Sequence, residues 1–185
     1  MRRYLRWLVA TWALGLWGAQ AVAQEAKTPH RVPLLSIGVG MADPTDPGTS
    51  GGLLAVVGFR YPLTPWLAVE PEVGYWERSA RTDVWVSDVF SDFNIGLRGL
   101  LTAPVGRTLG FYAGVGVDVH VLTGEFRVTG FPTAEETQTR TGFHILGGTE
   151  FYLGRDVRLF VTGRYDVVED LKQVRWFFGA RFRLE

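Results

Sequence analysis

The chain of 185 residues contains no cysteine. Disulfide bonds, thiolate metal sites and a lipid anchor on a cysteine are therefore excluded. It also lacks a phosphate-binding loop, because no helical segment follows the glycine pairs at 38–40 and 114–116. From these absences we expect neither a cofactor nor a bound metal.

Beyond its first residues the chain also lacks an apolar run of the roughly 20 residues that a transmembrane helix needs. The N-terminus carries Arg2, Arg3 and Arg6, then an apolar stretch at 8–17, then the small-residue triplet 21–23. This order predicts a secretory signal peptide over residues 1–23. Cleavage would remove three basic residues and leave a net charge of 16 − 19 = −3, so we expect no nucleic-acid partner.

No segment after the leader has a convincing helical period. Instead, apolar and polar residues alternate over eight segments, which predict strands at 34–41, 52–61, 66–76, 89–103, 111–122, 140–153, 157–167 and 174–184. We interpret residues 24–33 as a periplasmic N-terminal segment and 34–185 as one β-barrel domain. An exported, apolar chain without helices is either a periplasmic β protein or an outer-membrane barrel.

The connections between these segments alternate between long and short. The long ones are 42–51, 77–88, 123–139 and 168–173, and the short ones are 62–65, 104–110 and 154–156. Outer-membrane barrels have this asymmetry, with short periplasmic turns and longer external loops. We expect 77–88 to extend as a β-hairpin beyond the membrane, and 123–139 to be a solvated loop at the barrel mouth.

The segment YAGVGVDVHV, residues 112–121, has one apolar and one polar face. Val115, Val117 and Val119 share the first, while Asp118 and His120 share the second with glycines. Nearly every predicted strand has such an uncharged face, with aromatic residues toward its ends, as hydrocarbon and its two interfaces require. The sequence therefore predicts an all-β fold, an eight-stranded antiparallel up-and-down transmembrane β-barrel, with its apolar face toward lipid.

The polar face carries charges of both signs, which must be paired inside a narrow barrel. We predict a lumen charge network formed by Arg60, Glu70, Glu72, Asp92, Arg98, Asp118, His120, His144, Glu150, Arg158, Arg164, Asp166, Arg175 and Arg181. An acidic wall (Glu70, Glu72, Asp92, Asp118) is expected to face an arginine wall (Arg158, Arg164, Arg175, Arg181). An eight-stranded barrel is just wide enough for such side chains to fill it.

Several segments resemble the outer membrane protein beta-barrel domain superfamily, the small OmpA/OmpX-like barrels. They are LAVEPEVGYW (67–76), FYAGVGVDV (111–119), HILGGTEFYL (144–153), LFVTGRYD (159–166) and FFGARFRL (177–184). The resemblance implies an eight-stranded barrel in the outer membrane of a Gram-negative-type cell envelope, inserted by the barrel assembly machinery. The C-terminus departs from the family pattern, because Leu184 and Glu185 stand where a terminal aromatic residue is usual.

Two chemical alternatives arise from the histidines of the polar face. His120 and His144 lie near carboxylates, as in half of a catalytic triad, but Ser91, the nearby strand serine, has the outward parity. The same groups are competent metal ligands, although their spacing is loose. We therefore expect no catalytic residues and no enzyme.

We expect a structural, porin-like barrel with a side-chain-filled lumen, surrounded by outer-membrane lipid, whose external loops are available to a partner. The alternatives are a small or gated passive channel and a lipid-modifying enzyme.

Overall fold

A computed structural model describes residues 32–45, 51–83, 86–169 and 171–184. The predicted signal peptide and most of the predicted N-terminal segment lie outside these residues. The described chain forms eight β-strands. They are β1 Leu34–Pro44, β2 Gly52–Pro62, β3 Leu67–Asp83, β4 Val86–Val105, β5 Leu109–Val128, β6 Ala134–Tyr152, β7 Val157–Val168 and β8 Leu171–Arg183.

Each strand pairs antiparallel with its neighbours in the chain, and β1 pairs with β8 to close the barrel. This confirms the predicted eight-stranded up-and-down barrel. None of the described residues belongs to a helix long and apolar enough to cross a membrane. The turns 63–66, 106–108 and 153–156 lie with the described chain ends at one rim, the terminal rim, and the other connections lie at the opposite loop rim.

The pairing register fixes the stagger of the barrel. A row of paired residues that starts at Leu34 passes Arg60 on β2 and reaches β8 at Gln173. Gln173 pairs with Pro44, so the row returns to β1 shifted by 44 − 34 = 10 residues. Eight strands with this stagger tilt about 40° from the barrel axis, which leaves an interior that side chains can fill.

Four strands continue past the loop rim as a free-standing sheet, which we call the β3–β6 extension. Beyond Glu77 strand β3 has left β2, and before Gly142 strand β6 has not yet met β7. Between these limits β3, β4, β5 and β6 remain paired with one another. The hairpin expected at 77–88 is thereby confirmed.

The loop expected at 123–139 is wrong, because β5 runs to Val128 and β6 begins at Ala134. These segments have polar residues on both faces, so hydrophobic alternation gives no signal, but backbone pairing continues from Thr123 and Thr137 to Phe126 and Ala134. The last connection is also shorter than expected, since β8 begins at Leu171. Gly106, Gly130 and Gly154 adopt positive φ in turns, where glycine avoids the cost of a Cβ.

The two faces of the sheet are placed as expected. Apolar residues at alternate positions, such as Val115, Val117 and Val119, are exposed on the outside, whereas Asp118 and His120 between them are buried inside. Trp66 near the terminal rim and Trp176 toward the loop rim are both exposed, as interfacial aromatic residues are. The barrel therefore presents an apolar exterior to its surroundings and encloses its charges.

The outward face provides a test of this arrangement. Val117 is 62% exposed in the middle of β5, so Val117→Arg places a charge in hydrocarbon and should lower the free energy of unfolding by about 2–4 kcal/mol. Thr137→Arg puts the same side chain on an exposed position of the β3–β6 extension and should change it by less than about 0.5 kcal/mol. Urea unfolding in lipid vesicles, followed by tryptophan fluorescence, measures both. Equal costs would contradict the face assignment.

Candidate functional site: the ion-paired lumen

The alternation of the strands sends charged residues from β2 to β8 into one enclosed space. Of the residues that the structure describes, six carboxylates are buried there: Glu70, Glu72, Asp92, Asp118, Glu150 and Asp166. Five arginines are buried with them: Arg60, Arg98, Arg164, Arg175 and Arg181. The side chain of Arg158 is 35% exposed and pairs with Glu150, so the carboxylates and guanidinium groups are equal in number. Such a balance is what charges removed from water require.

Near the terminal rim, Glu150 is the common partner of three arginines. Arg181 Nη1 lies 2.6 Å from Glu150 Oε1, Arg60 Nη1 contacts the same oxygen, and Arg158 Nη1 lies 3.4 Å from Oε2. Arg60 also donates from Nε to Glu70 Oε2 at 2.8 Å. The strands β2 and β8, which lie on either side of β1, are thus both joined to β6 across the lumen.

Aromatic rings complete this end of the lumen. The guanidinium carbons of Arg60 and Arg181 lie 5.0 and 4.8 Å from the ring centroid of Tyr112, and that of Arg181 lies 3.9 Å from the centroid of Phe160. The Tyr112 hydroxyl lies 2.5 Å from Thr162 Oγ1. Arg60 and Arg181 therefore make cation–π contacts with these rings in addition to their ion pairs with carboxylates.

Arg98 connects this end of the lumen to its middle. Its Nη2 donates to Glu70 Oε1 at 2.8 Å, and its Nη1 lies 2.5 Å from Glu72 Oε2. The other oxygen of Glu72 accepts a hydrogen bond from Arg164 on the far side of the barrel. Planar guanidinium groups suit this role because each presents donors in a fixed fork to more than one carboxylate.

Arg164 occupies the centre of the middle layer. Its Nη1 contacts Glu72, while its Nη2 lies 2.6 Å from Asp118 Oδ2 and 2.5 Å from Asp166 Oδ1. His144 Nδ1 lies 2.5 Å from the same oxygen of Asp118. Carboxylates from β3, β5 and β7 therefore converge on one arginine side chain.

Toward the loop rim, the carboxylate of Asp92 contacts several nitrogen atoms. Arg175 Nη2 lies 2.8 Å from its Oδ2, His120 Nδ1 lies 2.9 Å from its Oδ1, and Trp76 Nε1 donates to Oδ2 at 3.0 Å. Arg175 Nε also lies 3.2 Å from Asp166 Oδ2. This last pair links Asp92 to the middle layer, so the contacts run without a break along the lumen from the terminal rim to His120.

The fourteen residues predicted for this network all lie on the lumen face, but their pairing differs in part from the two expected walls. Arg164 and Arg175 do cross to carboxylates of β3, β4 and β5. Arg158 and Arg181 do not form ion pairs with that acidic wall; they contact Glu150 on β6. Arg158 and Glu150 are diagonal neighbours across the paired strands β6 and β7, and only β7 separates Arg181 on β8 from β6.

Some buried polar residues of the lumen were missed in the sequence. Trp76 and Gln173 donate to Asp92, and Asn94 accepts from Arg175 Nη1 at 2.8 Å. Ser36 accepts from Arg181 Nε at 3.2 Å. For Ser36, Trp76 and Asn94 the even or odd position within the strand was the available signal, since it places them on the same face as the charges. Gln173 gave no such signal, because it fell in the predicted connection 168–173.

Within the described part of the chain, the side chains that come nearest to a metal site are Asp118, His144 and Asp166, whose ligand atoms lie within 4.8 Å of one another. Arg164 already contacts both carboxylates of this group. A guanidinium therefore takes the position that a cation would need, and the arrangement fits an internal ion pair better than a metal.

The catalytic alternative finds little geometric support among the described residues. His120 and His144 each have a carboxylate partner through Nδ1. Ser91 lies between the inward Asp92 and the inward Phe90, so it projects outward, and it hydrogen-bonds Tyr75 on that face. A nucleophile must be within hydrogen-bond reach of its base, and these side chains lie on opposite faces of β4 and β5.

The family model of the outer membrane protein beta-barrel domain matches residues 9–179. The chain belongs to this family. As a member of this outer-membrane barrel family, the protein is located in the outer membrane.

Solved structures agree with this assignment of the fold. The barrel is similar to Neisserial surface protein A (NspA), with 14% identity, a TM-score of 0.67 and coverage of 82% of this chain and 97% of that one. It is also similar to Ail, the attachment invasion locus protein of Yersinia pestis, with 16% identity, a TM-score of 0.63 and coverage of 83% and 99%. OprG from Pseudomonas aeruginosa has 12% identity, a TM-score of 0.58 and coverage of 83% and 96%. No curated protein matches the sequence.

The lumen of this outer-membrane barrel contains glycines where bulky partners cross. A Cβ on Gly116 would lie 2.5 Å from the His144 ring atoms Cε1 and Nε2 and 2.7 Å from the Leu97 carbonyl oxygen. A Cβ on Gly99 would have nothing within 4 Å. The lack of a side chain at Gly116 therefore leaves room for the His144 ring, whereas a methyl group at Gly99 would meet no neighbouring atom.

Removing the central arginine should have a large effect on stability. Arg164→Met keeps a similar volume but leaves Glu72, Asp118 and Asp166 buried without this cation, so we expect a loss of about 3–5 kcal/mol. Arg140→Met removes an ion pair with Glu169 that is partly exposed and should cost about 0–1 kcal/mol. Urea unfolding of both variants in lipid vesicles provides the comparison. A small loss for Arg164→Met would show that the carboxylates are neutralised in another way.

The two glycines provide a second test. Gly116→Ala should destabilise the barrel by about 1–3 kcal/mol, because the His144 ring and the backbone must move apart. Gly99→Ala should be neutral or slightly stabilising, since alanine loses less conformational freedom on folding than glycine. The same unfolding measurement applies, and a neutral Gly116→Ala would mean that His144 is not held in this position.

Proposed function

We propose that this protein is a structural, non-enzymatic outer-membrane barrel whose lumen is closed by ion-paired side chains and whose external β3–β6 extension is available for interaction. The observation that carries the proposal is the unbroken series of charge contacts from Glu150 through Glu70, Glu72 and Asp166 to Asp92. A solute passing through the barrel would have to separate several of these pairs.

Separating a buried pair is expensive. A buried ion that loses its partner costs about 3–5 kcal/mol, and several of these arginines hold two or three carboxylates at once. Glu70, Asp92, His120 and Arg181 have no exposed surface, so solvent does not reach them to replace a lost partner. This supports a closed lumen over a permanently open channel.

The histidine contacts support a non-enzymatic role. His120 and His144 are buried among the charged groups, with carboxylates as their partners. A lipid-modifying site on the barrel wall would need its base and nucleophile to reach the acyl chain outside. Both histidines instead project into the filled lumen.

The β3–β6 extension supports an interaction role outside the cell. On β6, the residues before Gly142 have no β7 partner, so one edge of this sheet is free of strand pairing within the described chain. Phe126 and Phe131 are 49% and 73% exposed near its tip. Exposed aromatic side chains on a rigid scaffold are typical of contact surfaces.

Conductance of the purified barrel in planar lipid bilayers tests the closed lumen. The parent protein should show no steady open state. The variant Arg98→Ser/Arg164→Ser removes the two arginines that bridge the middle layer and should show frequent openings. The variant Arg127→Ser/Arg140→Ser removes the same number of charges outside the barrel and should behave like the parent. A steady nanosiemens-scale open state of the parent would contradict the proposal and favour a passive channel.

A further inference from the structure

We propose that the terminal rim binds the phosphate headgroups of anionic phospholipids in the periplasmic leaflet. The rim consists of the described residues 32–33, 63–66, 105–108, 153–156 and 183–184. It carries Arg107, Arg155 and Arg183 against one acid, Asp156. This surface is distinct from the lumen network, and the proposal does not depend on whether the lumen conducts.

The arginines belong to adjacent parts of the rim. Backbone hydrogen bonds join the segments: Tyr152 N to Thr108 O (2.9 Å), Arg183 N to Asp156 O (2.8 Å) and Leu184 N to Pro33 O (3.0 Å). The turn after β4, the turn after β6 and the two described chain ends therefore form one continuous arc. An arginine stands on three of these four segments, namely on both turns and at the end of β8.

Apolar residues directly next to the arginines fix the depth of this arc in the membrane. Val105 and Leu153 are 47% and 60% exposed, and each precedes an exposed arginine, Arg107 or Arg155, by two residues. Trp66 is 57% exposed on the neighbouring turn. Because interfacial tryptophan lies at the headgroup level and arginine extends its head toward polar groups, the guanidiniums are at the height of the lipid phosphates.

The opposite rim has the opposite sign of charge. Among the residues at and beyond the loop rim whose side chains the structure describes, acids outnumber bases by seven to four, 4 − 7 = −3. The acids are Asp43, Glu77, Asp88, Glu125, Glu135, Glu136 and Glu169, and the bases are Arg78, Arg127, Arg140 and Lys172. The described terminal rim has 3 − 1 = +2. Attraction for an anionic surface therefore favours the periplasmic leaflet.

A phosphate monoanion suits these side chains. Guanidinium groups bind phosphate oxygens through two parallel hydrogen bonds, and the turn positions of Arg107 and Arg155 leave both heads exposed. One basic residue near an anionic membrane surface corresponds to an enrichment of anionic lipid of about fivefold. The rim should therefore collect such lipids around the barrel.

Trp66 provides a local reporter of this enrichment. In the variant Trp85→Phe/Trp176→Phe, Trp66 is the lipid-facing tryptophan of the described barrel, because Trp76 is buried in the lumen. The purified protein is reconstituted in phosphatidylcholine vesicles that contain a fixed small fraction of brominated phosphatidylglycerol or brominated phosphatidylcholine. We expect the anionic lipid to quench Trp66 about two- to fivefold more than the neutral lipid.

Two controls assign the effect to the terminal rim. Arg107→Gln/Arg155→Gln should remove most of the excess quenching, whereas Arg127→Gln/Arg140→Gln, on the external side, should retain it. In the Trp85→Phe/Trp176→Phe protein with all its arginines, about 1 M salt should also suppress the excess quenching by the anionic lipid, because it shortens the screening length to about 3 Å. Migration of each variant on an unheated gel verifies that it is folded.

Equal quenching by the two lipids, or an excess that survives in Arg107→Gln/Arg155→Gln, would overturn the proposal. The arginines could instead bind carboxylates of the cell wall. Equal quenching together with arginine-dependent binding of the folded protein to purified sacculi would assign the rim to that partner and reject the lipid.

Discussion

The pairing of arginines with carboxylates inside a closed barrel is the interaction on which the rest of this structure depends. Charges buried away from bulk solvent are costly unless every one has a partner. Arg164 illustrates the requirement, since it contacts Glu72, Asp118 and Asp166, which come from β3, β5 and β7. A slip of one residue in any strand would turn its charges toward lipid and its apolar side chains inward. The network therefore enforces the register of the whole sheet.

The surface chemistry of the barrel differs between its lipid-facing wall, the β3–β6 extension and the terminal rim. In the membrane, its exterior is apolar and its interior charged, the reverse of a soluble barrel. Outside, the strands β3 to β6 continue as a sheet with polar residues on both faces. Below, at the terminal rim, two of the short turns carry exposed arginines. The same backbone pairing thus supports a filled core, the β3–β6 extension and a terminal rim whose net charge is opposite in sign to that of the loop rim.

The sequence predicted more of the core than of the extension, for a physical reason. Where one face must meet hydrocarbon, alternation is strict, so the inward position of Asp118 and His120 followed from their places in β5. Residues 123–139 meet water on both sides, and there pairing depends on backbone hydrogen bonds that carry no side-chain pattern. The interior partner of Arg181 was also not predictable, because its contact with Glu150 crosses β7 and depends on how the closed sheet curves around the lumen.

The sequence alone determined three features. The number of alternating segments set the strand number, the uncharged face with its aromatic ends set the lipid-facing side, and the period of two then assigned the charged residues to the lumen. Only the tertiary structure decided which charge meets which. Closure with a stagger of ten residues places Arg175 of β8 against Asp92 of β4, across the barrel, while Arg98 bridges Glu70 and Glu72 of the adjacent strand. Contacts across a closed barrel depend on all eight registers together, which no single segment encodes.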